Sequence, residues 1–387
     1  MTELDEYTGN RDLLGWAMPS GRELRSIVRS VLDRQEAEVV DWWVEPVDYQ
    51  VVQPGTAGLY RVRGIAVTSA GATPWSVFVK LLRSYRHVEL PAAMPPSLLD
   101  WAMRVAPWDY EVDVYWSGVH DLLPAGLRLP RLYRVHDTGD ERLAMWLEDV
   151  RTVADAVWDL PRFERAATLL GRLAARLTLH DGLPSTASRE PGEVTRLAYH
   201  GPVRLLALPA LLDQSTWRHP LLAGRDPSLR DDLERLSGRL PGLLVRLDRL
   251  PQAMMHGDAC PQNLLVPADD PGGFIAVDWS TGGLAAVGYD LGQLLVGLAH
   301  AGRLEVADLP RTADRIVHAY AAGLAWEGMP VDVDDVRRGF ETVLVLRSAF
   351  MSLPLDRLGE PPGDDLAGLV ADRLALTRYL ADLGLAL

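Results

Sequence analysis

The apolar positions change their period along the chain. After Ser20-Gly21-Arg22-Glu23, whose spacing is that of a capping box, Leu24, Ile27, Val28, Val31 and Leu32 form one stripe of a helix. Alternating patterns follow. A strand-like segment around Tyr49–Val52 leads into Gln53-Pro54-Gly55-Thr56-Ala57-Gly58, a turn of small residues, and then into the strand-like run Leu59–Val67. Ser76–Leu82 is another strand, with Phe78, Lys80 and Leu82 on one face. A short helical stretch, Trp108–Trp116, precedes a second hairpin-like pair, Arg131–Val135 and Arg142–Leu147. Helical spacing then dominates. Between Pro161 and His180 the apolar positions are Phe163, Ala166, Ala167, Leu170, Leu173, Ala174 and Leu177, with Gly182 just past the end. Residues from about 195 to 250 carry further apolar stretches broken by Pro. Leu264–Val266 and Phe274–Val277 are short apolar runs separated by Asp269, Asp270, Pro271, Gly272 and Gly273, which predicts a hairpin. Val287-Gly288-Tyr289-Asp290-Leu291 opens another helix. Asp332, Asp334 and Asp335, and later Asp364 and Asp365, stand where helices start, although either cluster also suits a cationic ligand. The expected class is α+β, with a small antiparallel sheet first and a larger, mostly helical remainder.

Composition leaves that picture standing. The chain has 387 residues, enough for two lobes, with 48% hydrophobic and 24% charged residues. It has no run of 18 apolar residues, and Met1-Thr2-Glu3-Leu4-Asp5-Glu6 is acidic without an apolar core. Neither a membrane span nor a secretory signal is expected, and the expected location is the cytoplasm. Cys260 is the single cysteine, which excludes an intramolecular disulfide and a Cys-rich zinc site. A formal charge of −14 argues against nucleic acid as a partner and is compatible both with a cationic substrate and with solubility alone.

One count is informative. Of 39 basic residues, 38 are Arg, and Lys80 is the only lysine. Arg and Lys do not replace one another freely at a phosphate site, so a lone Lys on an apolar strand face suggests that an ammonium is required there.

The second concentration of chemistry is Met255-His256-Gly257-Asp258-Ala259-Cys260-Pro261-Gln262-Asn263, followed by the hairpin and then Asp278. Asn263 enters the first strand and Asp278 leaves the second, so both stand at the open end within reach of one ion, with Asp258 on the loop before them. Oxygen-only ligands of this kind suit Mg²⁺, which takes waters and phosphate oxygens for the rest of its shell. No Lys or Arg occurs between Pro251 and Gly302, so the compensating positive charge is expected from the metal and Lys80.

His-Gly-Asp, four residues, Asn, and a later Asp after an apolar strand resembles the aminoglycoside phosphotransferase family, a small-molecule branch of the protein-kinase-like fold. Protein kinases carry His-Arg-Asp with the same spacing to Asn; Gly257 in place of that Arg points away from them. The resemblance implies a bilobal fold: an amino-terminal nucleotide-binding lobe over residues 1–146, a hinge at 147–150, and a helical lobe over 151–387 with the catalytic loop and acceptor pocket. It implies Asp258 as catalytic base, Asn263 and Asp278 as metal ligands, and Lys80 on the nucleotide phosphates. The Lys80 partner is expected to be Glu111, with Asp109, Asp113 and Glu89 as alternatives. Gly55 and Gly58 would belong to a nucleotide-covering turn, which also reads as an ordinary hairpin turn. Leu147, Glu148 and Val150 would supply backbone groups for the nucleotide base. His256 is read as structural and Asp290 as buried support for the loop. Ser280 departs from the Gly that often follows at this point.

These features predict a kinase with Mg²⁺ and ATP or GTP, acting on a hydroxyl of a small molecule. The leading acceptor class is an antibiotic or natural product: aminoglycoside-like, macrolide or nucleoside. The alternatives are a metabolic kinase for a sugar or amino alcohol, and a nucleotide-binding pseudokinase.

Overall fold

The computed structural model describes residues 10–49, 53–89, 95–361 and 363–387. Helix α1 (Gly21–Leu32) starts where the capping box lies: the Glu23 amide donates to Ser20 Oγ at 3.3 Å and the Ser20 amide to Glu23 Oε2 at 2.9 Å. Strands β1 (Glu38–Pro46), β2 (Thr56–Thr68) and β3 (Gly71–Arg83) follow. The first strand is therefore earlier than the alternation suggested. Only Val44 of β1 is fully buried, and a bulge between Val39 and Asp41 breaks its period. Of the segment expected around Tyr49–Val52, Tyr49 lies in a loop and 50–52 fall outside the described residues.

Helices α2 (Pro96–Val105), α3 (Tyr110–Trp116) and α4 (Val119–Leu122) precede β4 (Leu127–Arg128), β5 (Leu132–Asp137) and β6 (Arg142–Glu148). The five-stranded antiparallel sheet has the order β1-β2-β3-β6-β5. Its two faces are separated by the pleat of β3. Val77, Val79 and Leu81 pack with Leu24, Ile27 and Val28 of α1. Phe78 and Leu82 face the other way, with Val112 of α3 and Leu143, Met145 and Leu147 of β6. Lys80 lies between them on that second face.

The larger part contains α5 (Leu160–Leu179), α6 (Glu193–Ala198), a π-helical segment Tyr199–Ala207 that includes Pro202, α7 (Leu208–Leu212) and α8 (Leu229–Leu247). Strands β7 (Gln252–Met255), β8 (Leu264–Leu265), β9 (Phe274–Ala276) and β10 (Gly283–Ala286) come next, then α9 (Tyr289–His300), α10 (Leu309–Trp326), α11 (Val333–Ser348) and α12 (Asp364–Ala386). Asp159 caps α5, its Oδ1 accepting from the Arg162 amide at 3.0 Å. Helices α5 and α10 pack so closely that a Cβ at Gly171 would meet the Tyr320 carbonyl and one at Gly323 the Thr168 carbonyl, so glycine at both positions permits the approach. Asp332 caps α11 by accepting from the Asp334 amide at 2.8 Å, and Asp364 begins α12, which gives these acids helix-start roles. No helix among the described residues is long and apolar enough to cross a membrane.

The two parts are stitched together by β4. Although it precedes the last two strands of the five-stranded sheet, it pairs in parallel with β9, Leu127 opposite Phe274 and Arg128 opposite Ile275. Arg128 then donates from Nη1 and Nη2 to the Glu148 carboxylate at 2.7 and 2.8 Å.

Candidate active site

The ammonium of Lys80 is buried and bonded on two sides. It donates to Glu111 Oε2 at 2.5 Å and to Asp278 Oδ1 at 2.9 Å. Burial alone pushes its pKa down, but the two carboxylates more than reverse this and keep it charged. Glu111 comes from α3, whose position beneath β3 is fixed by Val112 on Leu82 and its neighbours. The other acids weighed for this contact are elsewhere: Asp113 accepts from Thr186 Oγ1 at 2.7 Å, Asp109 stands at the start of α3, and Glu89 is exposed.

The glycines near the turn divide. Gly55 lies in the turn before β2, its carbonyl accepting from the Arg83 amide at 2.8 Å. Gly58 does not lie in the turn. It is inside β2, at a register shift between Thr56 and Gly58, where a Cβ would come within 2.6 Å of the Tyr60 ring. The strand starts early because the bulge lets Thr56 pair with Leu82. At the end of β6, Leu147 is buried on the Lys80 face. Glu148 also accepts from the Arg131 amide at 3.0 Å, and Val150 follows in a half-buried link.

The segment from His256 to Asn263 has little regular structure and is held by side chains. Asp290, buried at the start of α9, accepts the His256 amide at 3.0 Å and the Gly257 amide at 2.8 Å. His256 is fully buried, and burial lowers its pKa. Its Nε2 donates to the Val277 carbonyl at 3.1 Å and its Nδ1 accepts from the Asp258 amide at 3.2 Å, so both nitrogens of a neutral ring are used. Gly257 has φ +98°, and a Cβ there would meet the Thr281 carbonyl, which is why no larger residue stands between His256 and Asp258.

Asn263 donates through Nδ2 to the Asp258 carbonyl at 2.9 Å and to Asp258 Oδ2 at 3.0 Å. Its backbone carbonyl accepts from the Val277 amide at 3.0 Å, and the register Leu264 opposite Ala276 sets Asn263 and Asp278 on facing strand ends. Asp278 itself takes φ +61°, an uncommon backbone state for a non-glycine residue. Burial raises the Asp258 carboxyl above its ordinary value, with Arg347 opposing and Asp278 reinforcing. Burial, and then the charge of Asp258, pushes the Cys260 thiol up to about 12, so it stays protonated as a small loop residue.

Arg347 was not visible in the sequence as a site residue. Its Nη1 donates to the Gly257 carbonyl at 2.8 Å and its Nη2 to Asp258 Oδ1 at 3.3 Å. The loop therefore receives a cation from the chain itself, 89 residues beyond Asp258, while Lys80 pairs with Asp278. One arginine among 38 carries no signal, and the contact is created only by how α11 packs.

A sheet carrying a buried, carboxylate-paired lysine, above a loop and hairpin that gather an acid, a carboxamide and a second acid, defines a kinase-like phosphotransferase. The profile of the APH phosphotransferase enzyme family matches residues 119–330, more than half of the chain. The chain belongs to that family. No curated protein matches it. Among solved structures it is similar to amicoumacin kinase hAmiN, at 13% identity over 89% of this chain and 88% of the other, with a TM-score of 0.46. It is also similar to aminoglycoside phosphotransferase APH(3'')-Id from Streptomyces rimosus, at 18% identity over 84% and 99%, with a TM-score of 0.43. For choline kinase LicA from Streptococcus pneumoniae the figures are 15%, 93% and 98%, and 0.43.

Proposed function

We propose that this protein transfers the γ-phosphoryl group of ATP or GTP to a hydroxyl of a small molecule, with an antibiotic or other natural product as the leading acceptor class. The observation that carries the reading is the pairing of two bonded units in one site: Lys80 with Glu111 and Asp278, and Asp258 with Asn263. The net charge of −14 suits a cationic acceptor.

In this reading Lys80 holds the nucleotide phosphates while Glu111 fixes the ammonium. Phe78 and Leu147, on the same sheet face, offer an apolar surface to the base, and 147–150 acts as the hinge that supplies backbone groups to its edge. Gly55 keeps the turn before β2 small enough to approach the phosphates. Asn263 spends its side-chain amide hydrogens on Asp258, which leaves its side-chain oxygen Oδ1 for a cation, and Asp278 adds a carboxylate from the facing strand end. This oxygen set fits Mg²⁺, which when bound neutralises phosphate charge and orients the γ-phosphoryl group. Asp258 accepts the proton of the acceptor hydroxyl as its oxygen forms the new bond to phosphorus, and the bond from phosphorus to the β–γ bridging oxygen breaks to release the nucleoside diphosphate.

The test is nucleoside diphosphate release with Mg²⁺ and ATP or GTP across aminoglycosides, macrolides, nucleosides, sugars and amino alcohols. Acceptor-dependent release is expected from the wild type, with Asp258→Asn slower by roughly 10²–10⁴-fold. Full activity in Asp258→Asn would remove Asp258 from the role of base. Release driven by a sugar or amino alcohol alone would replace the antibiotic reading with a metabolic one.

A further inference from the structure

Both oxygens of the Asp258 carboxylate are held, each by a different residue. Asn263 Nδ2 takes Oδ2 at 3.0 Å and Arg347 Nη2 takes Oδ1 at 3.3 Å. The two donors are not equivalent. Asn263 is also called on as a cation ligand, so it serves two partners. Arg347 spends its second nitrogen, Nη1, on the Gly257 carbonyl at 2.8 Å, so one planar fork spans the backbone just before the base and the carboxylate of the base itself. The guanidinium is fixed from behind. It lies 5.4 Å from the centroid of Tyr289, whose ring is buried, and it leaves the last turn of α11, where a cation is favoured by the helix dipole.

We propose that Arg347 is a positioning residue for the phosphoryl transfer: it sets the orientation of the Asp258 carboxylate and so couples helix α11 to the reacting hydroxyl. This rests on the reading of Asp258 as the base. Asp290 and His256 hold only the backbone amides of the loop. Apart from Asn263, Arg347 is the side chain bonded to the carboxylate in the described structure. A carboxylate released on that side keeps its charge but loses its aim, and misplacement by about 1 Å is enough to cost roughly 10²-fold in rate.

The experiment compares wild type, Arg347→Met and Arg347→Lys, each also in an Asp258→Asn background, by steady-state kinetics, nucleotide binding, melting temperature and hydrogen exchange. Arg347→Met is expected to lower kcat by roughly 10²-fold while the KM for nucleotide stays within about twofold. Arg347→Lys, which keeps the charge but not the fork, is expected to fall between the two. In the Asp258→Asn background, Arg347→Met should cost less than about threefold more, because the residue acts through Asp258. Exchange should rise in the peptide spanning 256–263 and not elsewhere. The proposal is overturned if kcat of Arg347→Met stays within about threefold of wild type, or if the full penalty returns in the Asp258→Asn background. It is also overturned if 256–263 exchanges as in wild type, a readout that needs no turnover. If instead the wild type phosphorylates no acceptor, the kinase reading fails, and the exchange data still decide whether Arg347 holds the loop.

Discussion

The two charged centres of this site, Lys80 and Asp258, are held by opposite means. Lys80 stands on a central strand paired on both sides, and its partner Glu111 is 31 positions away on the helix beneath. Regular structure does the positioning there, and the ion pair adds to a frame already set by Val112, Leu82 and Met145. Asp258 stands on an irregular loop, and besides His256 and Asn263 of that loop its frame draws on side chains from distant elements: Asp290 at 33 and 34 positions and Arg347 at 89 and 90. A strand can present a residue with hydrophobic packing alone. A loop of buried amides and carbonyls needs polar groups brought from a distance to satisfy it.

That contrast can be broken at its strongest point. If Lys80 holds the phosphates as proposed, Lys80→Met should lower kcat by roughly 10²–10³-fold, and Lys80→Arg should not restore it. It also strands the buried carboxylate of Glu111, at a cost of about 3–5 kcal/mol in chemical denaturation. If the frame is independent of the ion pair, Glu111→Gln added to Lys80→Met will recover most of the stability and none of the activity. Asp290→Ala tests the loop. Two buried amides lose their acceptor, so stability should drop by about 3 kcal/mol and kcat should fall with it, because frame and function are one unit there. Activity that survives a clear loss of stability would show that the loop is held by other contacts.

The smallest effect is expected on the far face of the sheet, where Glu23 joins the Ser20 cap to Arg134, its Oε1 accepting from Arg134 Nη2 at 2.6 Å. The Ser20 amide, then its hydroxyl, with His136 and Arg134, hold the Glu23 carboxyl at about 2, below the ordinary 4.5. A carboxyl lowered on folding stabilises above its unfolded value and loses that contribution as pH falls through the folded one. Melting temperature should therefore decline between pH 4.5 and 2 with a slope that Glu23→Gln flattens. At neutral pH that variant should lose about 1 kcal/mol and no activity.

The same contrast explains what could be read from the sequence. Period-two alternation located β3 and the face that Lys80 shares with Phe78 and Leu82. Turn residues located the β8–β9 hairpin, and the Ser20–Glu23 spacing located α1. All of these are local patterns. The alternation places the first strand too late because the bulge of β1 interrupts the period and little of it is buried, and the small residues extend the turn to Gly58 although it ends earlier, at the bulge. Strand β4 is two residues long and gains its identity only by pairing with β9. Arg347 belongs to the same category, since nothing near it in sequence marks it and its role arises from the packing of α11 against the loop.

The burial of the lone lysine has a practical side. A lysine-specific protease has one internal bond to cut in this protein, Lys80–Leu81, and that bond lies in the middle strand of the five-stranded sheet, with the Lys80 side chain 9% exposed. Cleavage requires the sheet to come apart. The rate at which a single pair of fragments accumulates is therefore a clock for the opening of the small lobe, readable on a gel without a label, and on the proposed function a nucleotide held by Lys80 would slow it.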